Sequence, residues 1–126
     1  MKGSPAGYAC ILGTILLMTY AQLAMKWGLS KTGRLPAGLW SKLGFLLSQV
    51  LTPWVLSGLA AAAVAALLWI AVLTRFDVSR AYPFMGLSFV LVLLLSHIMF
   101  REELSITSLL GVALVIAGIT VIGLSK

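Results

Sequence analysis

Stretches without a charged side chain dominate this sequence. Four of them reach about 20 residues or more, the length that crosses the hydrocarbon core of a bilayer. They cover residues 3–25, 43–74, 81–100 and 104–125. Lipid offers no hydrogen-bond partner to a free backbone N–H or C=O, so a spanning segment of this kind has to be helical. The pattern therefore predicts an all-α membrane protein in which residues 1–126 form a single domain of four transmembrane helices, at about 8–27, 53–74, 81–100 and 106–124.

A shorter, amphipathic pattern occupies the segment between the first two spans. Leu39, Leu43, Leu46 and Val50 recur at helical spacing, and the polar side chains of the segment fall on the opposite face. A helix of this kind lies in the membrane interface with its apolar face towards the acyl chains. An early extension of the second span is the alternative. Pro53 favours a break, because proline fits the first turn of a helix and is costly inside one.

The remaining links are short, so consecutive spans are predicted to be antiparallel neighbours. Residues 75–80 join the second span to the third, and residues 101–105 lead into the fourth, where Ser105 can cap the helix. One membrane face then carries four basic residues and the other five: Lys2, Arg75, Arg80 and Lys126 against Lys26, Lys31, Arg34, Lys42 and Arg101. Orientation follows a clear excess of positive charge, so the sequence leaves it open.

Composition limits the chemistry that these helices can carry. The chain is 61% hydrophobic with a net charge of +6, and its basic groups lie at span ends, where they favour anionic lipid headgroups over nucleic acid. No Cys and His residues have metal-binding spacing, His97 is the only histidine, and the adjacent Glu102 and Glu103 make a poor acid–base pair. We therefore expect neither an enzyme nor a metal or other cofactor. For His97 we expect packing at the membrane edge or contact with a lipid headgroup.

The segment MTYAQLAMKWG, residues 18–28, places an amide and a cation at the end of an apolar run. Gln22 and Lys26 are one turn apart and share a helix face. Lys26 can extend its ammonium to the interface from the end of a span. Alternatively, the pair belongs to a polar track facing a groove of the bundle, since an amide inside a span needs a partner. Tyr82 opens the third span at the opposite membrane face, so Lys26 and Tyr82 mark two ends of one path or converge only across an antiparallel dimer.

Two glycines of the last span suggest a helix–helix contact. Gly111 and Gly118 are seven residues apart and nearly share one face, and small residues let neighbouring helices approach closely. We predict that they contact a second protomer. Packing against the first three spans of the same chain is the alternative.

Residues 81–123, from AYPFMG through the link FREELS to the glycine-rich last span, resemble the second half of the drug/metabolite transporter superfamily. The four-span length is similar to that of its small multidrug resistance branch. The motifs AQLAMK in the first span and AYP in the third are closer to a sister group, the small flippase subunits that move aminoarabinose linked to undecaprenyl phosphate across the bacterial inner membrane. The resemblance covers nearly the whole chain, and it implies a homodimer or a heterodimer with a similar subunit.

The resemblance also implies roles for individual residues. In a flippase of this group, Gln22, Tyr82 and Ser88 would hydrogen-bond the sugar, and Lys26 or Arg80 would meet the phosphate. We add Glu102 to these substrate-binding candidates, since it matches the link glutamate of the superfamily. A glutamate at a helix start also fits a structural anion.

Two further hypotheses compete with a flippase. An exporter of cationic drugs or metabolites would use Trp27, Trp69 and Tyr82 to stack on a cation. Proton-coupled exporters of the superfamily, however, carry a glutamate eight residues before the lysine that matches Lys26, and here that position is Met18. The other hypothesis is a non-transporting membrane subunit of a glycosyltransferase system.

Overall fold

Helices form the framework of the computed structural model, which describes residues 4–125. Four segments are long and apolar enough to cross a membrane: Pro5–Leu29, Pro53–Leu73, Val78–Phe100 and Ile106–Leu124. The elements in chain order are α1 (Pro5–Leu29), α2 (Leu39–Val50), α3 (Pro53–Leu73), α4 (Val78–Ala81), a 3-10 turn (Tyr82–Met85), α5 (Gly86–Phe100) and α6 (Ile106–Leu124). The predicted all-α membrane fold, with a short helix between the first and second spans, is confirmed. Lys2 and Lys126, which were counted among the basic residues of one membrane face, lie outside the described residues.

Proline and serine residues set the starts of the helices. Pro5 and Pro53 occupy the first turns of α1 and α3, where the missing N–H costs nothing because it would have no partner inside the helix. Ser4 and Ser105 cap α1 and α6 by accepting hydrogen bonds from first-turn amides, at 3.2 and 3.0 Å. The predicted cap at Ser105 is confirmed.

The short helix α2 is separate from α3 and contacts it only locally. None of its residues is buried, and Trp40 remains 82% exposed. Leu51 and Thr52 interrupt the helix before Pro53 starts the next one, so the alternative of an extended second span is wrong. The apolar side chains of α2 are left for the membrane interface.

Helix α1 packs along α3 and also contacts α5. The approach of α1 and α3 depends on small residues: a Cβ added at Gly58 would lie 2.8 Å from the carbonyl oxygen of Ala21. A Cβ added at Gly28 would lie 2.9 Å from the Cβ of Trp54. Backbone surfaces can therefore meet along this pair, as expected where helices associate without a hydrophobic driving force in lipid. The buried cluster at the other end of the bundle comprises Ile11, Ile15, Val72 and Ala81.

Contacts at both ends of the bundle show that the spans alternate in direction. At one end, Arg75 in the link after α3 donates a hydrogen bond to the Ser4 hydroxyl at 3.1 Å. At the other end, Lys26 near the end of α1 forms an ion pair with Glu102 in the link after α5. Lys26 and Tyr82 therefore lie at opposite ends of the bundle, as the short links predict.

The third span is not one continuous helix. It begins at Val78, before the predicted start at residue 81, and the 3-10 turn that contains Pro83 separates α4 from α5. Proline has no N–H to donate and its ring crowds the preceding turn, so a tighter turn replaces regular helix there. Gly86 follows the turn, and a Cβ at this position would lie 3.1 Å from side-chain atoms of both Val115 and Ile119. This glycine lets α6 pack against the start of α5.

Helix α6 lies at the edge of the bundle, against α5 and the 3-10 turn. None of its described residues is buried. A Cβ added at Gly111 or Gly118 would meet no atom within 4 Å. The alternative that these glycines pack within the chain is therefore wrong for the residues that the structure describes. Their contact with a second protomer stays a prediction.

Replacing Gly58 by alanine is expected to destabilise the protein, because the added methyl group would overlap the backbone of α1. Overpacking of this kind costs about 1–3 kcal/mol. Thermal unfolding in detergent, followed by circular dichroism, measures the effect. Gly44 in α2 is the matched control, because a Cβ there meets no atom within 4 Å. Equal melting temperatures for the Gly58→Ala and Gly44→Ala variants would show that α1 and α3 do not depend on this close approach.

Replacing both Gly111 and Gly118 by leucine is expected to disrupt an oligomer while leaving membrane insertion intact, since the added side chains enter a surface that is open in one chain. Cross-linking and native mass spectrometry measure the oligomeric state. Ala113→Leu is the control, because Ala113 is exposed on another face of α6. An unchanged dimer in the double variant would exclude this surface from the contact.

Candidate functional site

A cavity of about 580 Å³ opens on the side of the bundle. We call it the lateral groove. Helices α1, α3 and α5 and the 3-10 turn line it, through Thr14, Met18, Gln22, Ala62, Ala65, Ala66, Trp69, Tyr82, Pro83, Met85, Gly86, Ser88 and Phe89. Gln22, Tyr82 and Phe89 remain exposed, so the groove is open on the helix surface that would face lipid or a second subunit.

Three predicted substrate-binding residues, Gln22, Tyr82 and Ser88, line the lateral groove together. The amide of Gln22 and the phenol of Tyr82 are exposed there and can donate and accept hydrogen bonds. Ser88 is buried, and its hydroxyl donates to the carbonyl oxygen of Met85 at 2.6 Å. Ser88 therefore offers a ligand its oxygen lone pairs and no free proton.

Aromatic side chains form one wall of the lateral groove. The rings of Trp69 and Tyr82 pack edge to face, with centroids 6.3 Å apart. The sequence suggested Trp69 only for stacking on a cation, and its place beside Tyr82 in the lateral groove was not predicted. A signal for this was present in the sequence. Ala62, Ala65 and Ala66 precede Trp69 by seven, four and three residues, so they share a face of α3 on which the side chains are small and the indole is the first large one.

In the part of the chain that the structure describes, no charged side chain lines the lateral groove. Met18, which stands where proton-coupled exporters of the resembled superfamily carry a glutamate, is one of the lining residues. A carboxylate in such a place couples cation binding to proton release because its protonation state changes with occupancy. The groove instead offers hydrogen-bonding groups and aromatic surface.

Lys26 and Glu102 form an ion pair at the end of α1, one helical turn beyond Gln22. The ammonium of Lys26 also lies 5.0 Å from the ring centroid of Phe100. The imidazole of His97 bonds through Nδ1 to the backbone carbonyl oxygen of Glu102. His97 is thus hydrogen-bonded to the link after α5. Packing at the membrane edge was one of the two roles expected for this residue.

The geometry around this ion pair explains its position. Arg101 ends α5 in the left-handed conformation, with φ of 54°, which turns the chain sharply and brings Glu102 back over the helix end. The Lys26 and Glu102 side chains stay 48% and 42% exposed. The pair is consequently accessible to a competing anion or cation from the membrane interface.

Arg80 is not part of the lateral groove. It lines a separate cleft of about 200 Å³ at the opposite end of the bundle from Lys26. The 3-10 turn divides the two cavities: Tyr82, Pro83 and Met85 face the lateral groove, whereas Phe84 faces the cleft. The six predicted substrate-binding residues therefore occupy three places, namely the groove, the ion pair and this cleft.

Four apolar spans around an uncharged groove open to the side define a multi-pass membrane protein of the transporter type. The chain belongs to the EamA-like transporter family, which matches residues 4–124. It is a multi-pass protein of the inner membrane.

Curated relatives carry the names of two different flippase subunits. A protein of Aeromonas hydrophila named as a probable 4-amino-4-deoxy-L-arabinose-phosphoundecaprenol flippase subunit ArnE is 34% identical over 90% of this chain and 93% of its own length. A second protein of the same organism, named as subunit ArnF of that flippase, is 35% identical over 98% of this chain and 87% of its own. A Pseudomonas aeruginosa protein named as subunit ArnE is 31% identical over 93% and 96%. No solved structure matches the chain.

Replacing Lys26 by alanine is expected to change the free energy of unfolding by less than about 1 kcal/mol, because a half-exposed ion pair contributes little. Ile15, which is 2% exposed, supplies the comparison: Ile15→Ala removes buried methyl groups and should cost about 2–5 kcal/mol. Thermal melting of both variants in the same detergent checks the order. Comparable losses of stability in the two variants would show that the ion pair is important for holding the fold together.

Proposed function

We propose that this protein is a flippase subunit that moves an undecaprenyl-phosphate-linked sugar, such as aminoarabinose, across the bacterial inner membrane for modification of lipid A and the cell envelope. The observation that carries the proposal is the lateral groove, whose lining is uncharged, partly hydrogen-bonding and partly aromatic. The names of the curated relatives support the choice of substrate class.

A groove open to the side suits a lipid-linked substrate. The polyprenyl chain can stay in the bilayer while only the sugar and the phosphate cross, so no wide aqueous channel is needed. The aromatic pair Trp69 and Tyr82 offers apolar surface to one face of the sugar ring. Gln22 and the Tyr82 phenol supply hydrogen bonds to its hydroxyl or amino groups, with Ser88 accepting a bond from deeper in the wall.

Lys26 is the proposed contact for the phosphate at one membrane face. In the structure its ammonium is paired with Glu102, so an incoming phosphate has to replace that carboxylate. The exchange is feasible because both side chains are half exposed and the pair is weak. Glu102 acts on substrate binding indirectly in this scheme, by holding the ammonium in place while the site is empty.

A second subunit is part of the proposal. Four helices leave the lateral groove open on one side, and α6 presents a surface with no buried residue. The chain is about equally similar to relatives named as subunits ArnE and ArnF, at 34% and 35% identity. The proposed partner is a subunit of similar fold, either a second copy of this chain or a related one.

A small exporter of cationic compounds is the second candidate, since Trp69 and Tyr82 present an aromatic surface to the groove. The absence of a carboxylate from the described groove lining counts against proton-coupled exchange. We expect expression of the protein to give little protection against quaternary ammonium compounds, measured as growth of a sensitive strain. Strong, proton-dependent efflux by the unaltered protein would favour the exporter over the flippase.

Reconstitution into liposomes with lipid-linked sugars, followed by measurement of leaflet exposure, is the direct test. Lys26→Ala should reduce capture of the phosphate-bearing lipid, as a hydrogen bond to a charged group is worth about 1.5–3 kcal/mol. Lys26→Arg should be tolerated better than Lys26→Gln, because charge matters more than shape at a loose headgroup. Gln22→Leu should slow translocation without loss of stability.

Lys42→Ala is the matched control, since Lys42 is an exposed cation on α2 and lines neither cavity. Polymyxin susceptibility of a strain lacking its own flippase gives a second readout. Normal transport by both Lys26→Ala and Gln22→Leu would reduce these residues to interfacial anchors. A purified chain that moved no lipid, with or without a similar subunit, would favour a non-transporting role.

A further inference from the structure

The cleft that contains Arg80 is built differently from the lateral groove. We call it the basic cleft. It lies where the link after α3, the start of α1 and the end of α6 meet, and it is lined by Tyr8, Leu73, Thr74, Arg75, Phe76, Asp77, Arg80, Phe84, Ile122, Gly123 and Ser125. Its volume is about 200 Å³. Among residues 4–125, the lining contains two guanidinium groups and one carboxylate, so this part of the cleft carries a net positive charge.

Both arginines of the basic cleft are available to an anion. Within residues 4–125, neither Arg75 nor Arg80 forms an ion pair, although Asp77 lines the same cavity. Arg75 is held at the rim by a hydrogen bond from Nη1 to the Ser4 hydroxyl at 3.1 Å. One anchored guanidinium beside a second one suits a phosphate group, which arginine binds through a planar fork of N–H donors.

One side of the basic cleft is apolar. The rings of Tyr8 and Phe76 pack edge to face, with centroids 5.2 Å apart, and Phe84 and Ile122 complete the lining on the side of α6. A ligand that fits both the arginines and this wall has a phosphate and a hydrocarbon chain. The site lies at a membrane face, where such an amphiphile has its headgroup.

We propose that the basic cleft binds the phosphate of a membrane lipid at the face opposite Lys26. If the lipid is the sugar-carrying polyprenyl phosphate, the inference rests on the proposed function and adds a second phosphate site, one at each end of the path. Crossing the bilayer removes the phosphate from water, so a cationic site at both faces stabilises the anion at the start and at the end of transfer. The alternative source of the same chemistry is an anionic phospholipid of the bulk membrane.

Lipid binding by the purified chain in detergent, measured by native mass spectrometry with undecaprenyl phosphate as the probe, tests the site. All proteins carry Lys26→Ala, so that binding at the opposite face does not contribute. Arg75→Gln with Arg80→Gln should weaken binding about tenfold to a hundredfold, as expected for losing charged hydrogen bonds. Arg34→Gln with Lys42→Gln removes the same charge outside both cavities and should leave binding unchanged.

Asp77→Asn provides a variant with the opposite expected sign. It removes the one carboxylate among the described lining residues of the basic cleft, so binding should become severalfold tighter, which a merely structural role would not produce. Equal weakening by the two double variants, or unchanged or weaker binding by Asp77→Asn, would overturn the proposal. Competition with phosphatidylglycerol identifies the source: equal competition indicates a general lipid-phosphate site, and poor competition indicates the polyprenyl carrier.

Transport in liposomes separates this inference from the proposed function. Suppose that the unaltered protein translocates the lipid and the Arg75→Gln, Arg80→Gln form binds lipid normally. The second phosphate site would then be rejected and the proposed flippase function retained. If that form loses lipid binding but the unaltered protein moves no lipid-linked sugar, the phosphate site would be retained and the flippase function rejected.

Discussion

The hydrocarbon interior of the membrane forces every backbone polar group to find a partner within the protein. The four spans satisfy this requirement as helices, and the single interruption among them comes at Pro83, close to the start of the third span. There the 3-10 turn has cavities on both sides of it. Irregular backbone at membrane depth is tolerated where it lines a cavity. The need to satisfy backbone polar groups therefore makes the spans helical, and it also explains why the break at Pro83 lies next to the cavities.

The lateral groove lies beside the closely packed pair α1 and α3. Gly58 and Gly28 bring these two helices into close contact, while α6 contacts the bundle mainly along α5 and the 3-10 turn. The chain is consequently asymmetric, with a tight pair on one side and a loosely covered α5 on the other. A helix as apolar as α6, with no described residue buried, finds its other contacts in lipid or in a second subunit.

The fold was predictable from the sequence because its determinants are local. The absence of charges marks the spans, Pro53 marks the break before α3, and Ser105 caps α6 through its own first turn. The break in the third span was not predicted, although Pro83 was visible. Proline is ordinary in a first turn, and whether it starts or interrupts a helix depends on how many residues precede it.

The site was predictable only in part. Gln22 of α1, Tyr82 of the 3-10 turn and Ser88 of α5 come from three elements and line the same groove. The ion pair of Lys26 with Glu102 joins residues far apart in the chain, and it depends on the left-handed conformation of Arg101, which no local pattern announced. Arg80 and Tyr82 are near neighbours in sequence but face different cavities, because two residues along a helical backbone rotate the side-chain direction by roughly 200°.

The uncharged lining of the lateral groove has a thermodynamic consequence for the proposed substrate. Within residues 4–125, the lining of the groove contains no carboxylate, imidazole or amine side chain. In the proposed flippase, binding in the groove would therefore not be coupled to proton uptake or release by a lining carboxylate, imidazole or amine. Net movement through the proposed path would then follow the difference in substrate concentration between the two leaflets. Directionality then depends on the reaction that consumes the sugar on the receiving side, which keeps that leaflet depleted.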